Sequence, residues 1–158
     1  MRITISSPAA AEGLRSRSDS VMWKYYALLS AFFAALTAVL AKVGVSGINS
    51  NLATAIRTTV VLVLSWGIVL AGGNGKQIAG LTWKPVLFLV LSGIATGLSW
   101  LCYFKALELG DVSKVAPIDK LSVVFAMILA FLFLREPVSA QVLAGGCLIL
   151  LGSLVILW

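Results

Sequence analysis

Apolar residues in this chain gather into long runs separated by short polar clusters, with no sustained alternation of apolar and polar positions. Long runs without period 2 predict helices rather than strands. Five are predicted, at about 23–43, 52–71, 85–104, 114–134 and 138–158, after a polar tail over 1–22 rich in Ser, Ala and Arg. Turn chemistry marks the boundaries. Gly44-Val45-Ser46-Gly47 follows the first run, and Asn49-Ser50-Asn51 offers N-cap oxygens to the second. Gly72-Gly73-Asn74-Gly75 breaks the second, Lys105 closes the third, and Asp111 and Ser113 are cap candidates for the fourth. Arg135-Glu136-Pro137 predicts a three-residue connection, with Pro137 suited to the first turn of the last helix. The tail has no apolar stretch long enough for a signal peptide and reads as disordered, with Met22 a second candidate start.

Composition turns these helices into membrane spans. The 158 residues are 60% hydrophobic and 11% charged, with a mean hydropathy of +1.04. A soluble domain would have to show that apolar surface to water, so the expected fold class is an all-α integral membrane protein with five transmembrane helices. The net charge of +6 comes from basic residues scattered over loops and span ends, so nucleic acid is not an expected partner and membrane lipid is. The chain has no histidine, and its two cysteines, Cys102 and Cys147, stand alone in apolar runs. Metal sites, cofactors and His-based catalysis are therefore not expected, and neither is an enzyme. Trp23, Trp83 and Trp158 stand at span ends as interface anchors. Small residues recur at helical spacing: Ala31, Ala34, Ala35, Ala38 and Ala41 in the first span, Gly93 and Gly97 in the third, Gly145 and Gly152 in the fifth. Such stripes let helix backbones approach closely in lipid, and are read as packing faces.

Two apolar runs are too short to span a bilayer alone. Thr58–Ala71 and Leu121–Leu134 each hold 14 residues without a charge, which is ~21 Å of helix against a hydrocarbon core of roughly 30 Å. The first extends naturally backward through Arg57, the second through Lys120, Asp119 and Pro117. Arg57 and Asp119 then lie at matching depths, ~8–9 Å from their helix starts, and an ion pair between them is expected because an unpaired charge there is costly. Asp119 shares a helix face with Ser122, Ala126 and Ala130, and Thr96, Trp100 and Tyr103 form a semi-polar face on the third span. With Lys42, Lys105 and Lys120 at the same end, these residues suit a water-filled pocket of positive potential for a small anionic or zwitterionic molecule, with Asp119 as a proton carrier. Lys42 and Lys105 also read as snorkelling to headgroups, and Lys120 as facing a headgroup or a partner chain. Pro117 removes a backbone donor and is expected to kink the fourth span.

An odd span count puts the termini on opposite sides. With the N-terminus inside, Lys24, Lys76, Lys84 and Arg135 face the cytoplasm and Lys42, Arg57, Lys105, Lys114 and Lys120 the other side. Only Arg2, Arg15 and Arg17 of the tail tip the balance inward, so the positive-inside rule gives almost no orientation. Near-balance has two readings: either Arg57 and Lys120, which lie within spans, do not count towards the balance, or the chain inserts both ways and pairs with its inverted copy.

The segment Val115-Ala116-Pro117-Ile118, the run Phe133-Leu134-Arg135-Glu136, and Gly145 and Gly152 beyond it resemble the EamA repeat of the drug/metabolite transporter superfamily. Asn51–Arg57 and Thr96–Leu109 are similar to the half-size bacterial members, and the likeness covers roughly Met22–Trp158. That resemblance implies one five-helix repeat, half of a ten-helix inverted-repeat transporter, in the bacterial cytoplasmic membrane. It implies transport of a small solute by alternating access in an antiparallel homodimer. The alternative is a subunit paired with a different small protein, as in lipid-linked-sugar flippases. Arg135 stands where the family often has glycine. Tyr25–Ala41 lacks the embedded acid of the related small multidrug resistance proteins, so their coupling mechanism is not expected.

Overall fold

The protein, seen here in a computed structural model, is described from Pro8 to Trp158, with side chains described from Val21 onward. Helix α1 covers Pro8–Val45. The tail expected to be disordered is thus helical from Pro8, and its first residues lie outside the described part. Proline at the first helical position followed by Ala9-Ala10-Ala11 explains the extension, because proline is pre-set for that position and alanine is the strongest helix former.

Helix α2 covers Ser50–Ala71, capped by Asn49, whose Oδ1 accepts from the Asn51 amide at 2.9 Å. The glycine-rich loop holds a 3-10 helix, Asn74–Gly80, reached through Gly73 at φ 70°. Helix α3 runs Trp83–Leu109, past Lys105, and stops at an extended Gly110. Among the described residues five helical stretches are long and apolar enough to cross a membrane: Val21–Val45, Ser50–Ala71, Trp83–Leu109, Val112–Leu134 and Ala140–Leu157.

The fourth span is broken, and Pro117, where a kink is expected, lies inside the helix that precedes the break. Helix α4 covers Val112–Asp119 and α5 covers Leu121–Leu129. The break falls at Lys120, where i→i+3 bonds replace the α pattern: Lys120 N–H donates to Pro117 O at 3.1 Å and Val123 N–H to Lys120 O at 3.0 Å. A π turn over Ala130–Leu134 ends the span. Its carbonyl at Ala130 accepts from the amides of both Arg135 and Glu136. Arg135 itself sits at φ 54°, ψ 34°, the left-handed region that glycine occupies without strain. Helix α6 then covers Ala140–Leu157. The connection therefore runs from Arg135 to Ser139 and is longer than the three residues expected. Ser139 Oγ accepts from the Val142 amide at 3.2 Å, and this cap starts the helix in place of Pro137.

The chain divides into two compact units, Met1–Ala38 and Val39–Trp158. In the second, α2 packs on α3, α3 meets α4, and both α4 and α5 pack on α6. Its buried core is small: Ala41, Val45, Ala53, Phe104 and Leu107, flanked by Tyr103, Val112 and Val115. Most large apolar side chains, such as Leu62, Phe88 and Leu148, are exposed. In a membrane that surface faces lipid or another helix, where exposure carries no hydrophobic cost.

Candidate functional site

Arg57 lies on α2, seven residues after Ser50, so ~10 Å into the span by helical rise. Its guanidinium carbon is 4.1 Å from the centre of the Trp100 ring and 5.4 Å from that of Phe104. Trp100 and Phe104 are one helical turn apart on α3, so both rings reach the face that α2 packs against. Phe104 is buried and anchors the core. The contact is a cation–π stack, which suits guanidinium because it is planar and weakly hydrated.

Asp119 is not the partner of this arginine. Its carboxylate lies 3.6 Å from the ammonium of Lys120, the next residue. The last turn of α4 and the break after it bring these neighbours together, whereas Arg57 is drawn to the aromatic face of α3. The expected Arg57–Asp119 ion pair is therefore not formed, since no described ion pair includes Arg57. Tyr103 lies within electrostatic reach of both charges, so the two sit in one region without touching.

The other candidates divide in the same way. Thr96 Oγ1 donates to the Ser92 carbonyl of its own helix at 2.9 Å, which uses its one donor and leaves the oxygen able to act only as an acceptor. Ser122 is exposed on α5. Lys42 does more than snorkel: its ammonium donates to Leu107 O at 2.6 Å and Gly110 O at 2.7 Å. Those carbonyls belong to the end of α3, where helix carbonyls lack partners and the dipole favours a cation. Lys105 pairs with Glu108 at 3.0 Å on an exposed surface.

Of the small-residue stripes, Ala38 and Ala41 in the first span are buried, whereas the stripe glycines of the third and fifth spans are not packed within this chain. A methyl group added at Gly93, Gly97, Gly145 or Gly152 would meet nothing within 4 Å. Neighbouring Gly146 is in close contact, and a carbon added there would lie 2.8 Å from Met127 Cε. The Gly93 and Gly97 face and the Gly145 and Gly152 face are thus open in this chain. Beside Gly146 runs an apolar groove of about 770 Å³ between α5 and α6, lined by Met127, Phe131, Cys147 and Leu150 among others. A polar pocket of about 400 Å³ lies beside Lys42, Ser46, Asn49 and Glu108.

Five apolar spans, an embedded arginine and open glycine faces define a polytopic membrane protein. The EamA-like transporter family matches residues 21–158, and the chain belongs to it. It is 52% identical over 140 residues to a Sinorhizobium sp protein named "Uncharacterized transporter in cobO 3'region", covering 87% of this chain and 97% of that one. No solved structure matches the chain.

Proposed function

We propose that the chain is a small-solute transporter of a bacterial cytoplasmic membrane, working by alternating access as an antiparallel homodimer. The observation that carries this reading is Arg57, a permanent cation inside α2 with aromatic rings for neighbours and, among the described residues, no carboxylate paired with it. A charge within a span is expensive and marks a path or a binding site by default. Family membership supports transport rather than catalysis. The open faces at Gly93 and Gly97 and at Gly145 and Gly152 support a second chain packed against this one. Thr96, Trp100, Tyr103 and Ser122 line the path in this reading. Asp119, whose Lys120 partner is itself exposed, carries the coupling proton.

Flux into proteoliposomes tests it. A mixture of amino acids, carboxylic acids and sugars is offered to vesicles with and without the protein, and at least one solute is expected to enter only the former. Asp119→Asn is expected to remove the pH dependence of that flux. A mixture that enters neither kind of vesicle contradicts transport by this chain alone and favours a heteromeric assembly, which co-purification of a second small subunit would establish.

A further inference from the structure

Arg57 makes no hydrogen bond and no ion pair among the described residues, although guanidinium carries five N–H donors. Its guanidinium carbon lies over the Trp100 ring at 4.1 Å, a contact that takes up none of those donors in a hydrogen bond to a described residue. The donors are not sealed inside the protein, since no enclosed side-chain nitrogen or oxygen lacks a partner among the described residues. Of the three carboxylates at this end of the bundle, Asp119 is paired with Lys120 and Glu108 with Lys105, and Asp111 is exposed at the start of α4 with no ion pair to Arg57 among the described residues. Hydrocarbon offers no acceptor, and the headgroup layer is ~10 Å away along the helix. A permanent cation with a free fork of donors, at that depth, requires an acceptor that comes from outside the chain.

We propose that Arg57, held flat on Trp100, is an oxyanion-binding site, and that the transported solute carries a carboxylate which the guanidinium grips edge-on through two parallel N–H···O bonds. The inference rests on the transport reading for the use made of the bound solute, though not for the binding itself. Two coplanar carboxylate oxygens match the guanidinium fork, which a lysine ammonium cannot reproduce. Trp100 fixes the plane of the fork and so the approach direction of the anion. Phe104, buried in the core, presents a second ring 5.4 Å from the guanidinium carbon. Phosphate presents the same paired oxygens, so inorganic phosphate and lipid phosphate are the competing sources of this chemistry.

Trp100 reports occupancy directly, because an anion on the guanidinium changes the field across the stacked indole. The probe is the full-length protein in a neutral detergent with Trp23, Trp66, Trp83 and Trp158 replaced by Phe, titrated with acetate, malate or inorganic phosphate at constant ionic strength. Choline chloride serves as the cation control. A saturable change with the carboxylates is expected, tighter than with phosphate, weakened at least tenfold in Arg57→Lys and absent in Arg57→Gln. Calorimetric titration of the unsubstituted protein with malate gives the same test should the fourfold variant fail to fold. No saturable response to any oxyanion, or an equal response in Arg57→Gln, overturns the proposal. So does phosphate binding tighter than every carboxylate, or a response that requires phosphatidylglycerol nanodiscs in place of phosphatidylcholine and ignores soluble acids. Binding without flux in proteoliposomes leaves this site standing and removes the transport reading. Flux of a neutral or cationic solute without oxyanion binding does the reverse.

Discussion

Three basic residues show how differently one kind of charge is used in this fold. Lys42 ties α1 to the end of α3 by donating to two backbone carbonyls. Lys42→Met keeps the stem and removes both bonds. The carbonyls of Leu107 and Gly110 then lose their partner, and a loss of about 1–3 kcal/mol is expected, measured as a lower unfolding midpoint in detergent. Arg135 holds a left-handed backbone conformation at φ 54°, which costs a side-chain-bearing residue about 1 kcal/mol relative to glycine. Arg135→Gly is accordingly expected to raise stability by about that amount. An unchanged or lowered midpoint would mean that the guanidinium makes a compensating contact at the membrane surface. Arg57 is the residue whose setting differs most from expectation. Its place inside a span could be read from the shortness of the uncharged run Thr58–Ala71, but its neighbours could not. Phe104 carries no signal within an apolar stretch, and a sequence gives depth along a helix without giving which side of it a neighbour occupies. An opposite charge at equal depth was the natural partner to expect. The aromatic face of α3 took that place because α2 packs on α3, while Asp119 had a lysine beside it.

At the scale of elements, the spans were the legible part, since apolar run length and turn residues mark them directly. The N-cap at Asn49 follows from side-chain chemistry alone. Less legible were features set by competition between adjacent signals. Ser139 starts α6 where Pro137 was the candidate, and the break in the fourth span falls three residues after its proline. That break is tied to the fifth span, for Ser153 Oγ donates to the Pro117 carbonyl at 3.2 Å from a buried position on α6. Removing that bond in Ser153→Ala is expected to cost about 0.6 kcal/mol, the average for such bonds in membranes. Gly146 is where α6 comes close to α5, since an added carbon there would lie 2.8 Å from the flexible end of Met127 at Cε. Gly146→Leu is expected to separate these helices and lower the unfolding midpoint, and Met127→Ala in the same chain to restore much of it. If the second substitution gave no recovery, the contact would not be what limits side-chain size there.

At the scale of the whole molecule, the small core and the lipid-like surface describe a bundle whose helices are only partly satisfied by one another. Ala41, Val45, Ala53, Phe104 and Leu107 form a core at one end, whereas the faces of Gly93 and Gly97 and of Gly145 and Gly152 meet no neighbour. In the antiparallel arrangement proposed above, an inverted copy brings a second Arg57 to the opposite side of the same membrane. The antiparallel arrangement is therefore the claim on which the transport account turns. The most direct test is topology in intact cells: single cysteines at Asn74 and at Asp111, in a chain with Cys102 and Cys147 replaced by Ala, labelled from outside with an impermeant thiol reagent. These loops lie at opposite ends of α3. The account predicts partial labelling of both, because each orientation exposes one of them. Complete labelling of one and none of the other would contradict it.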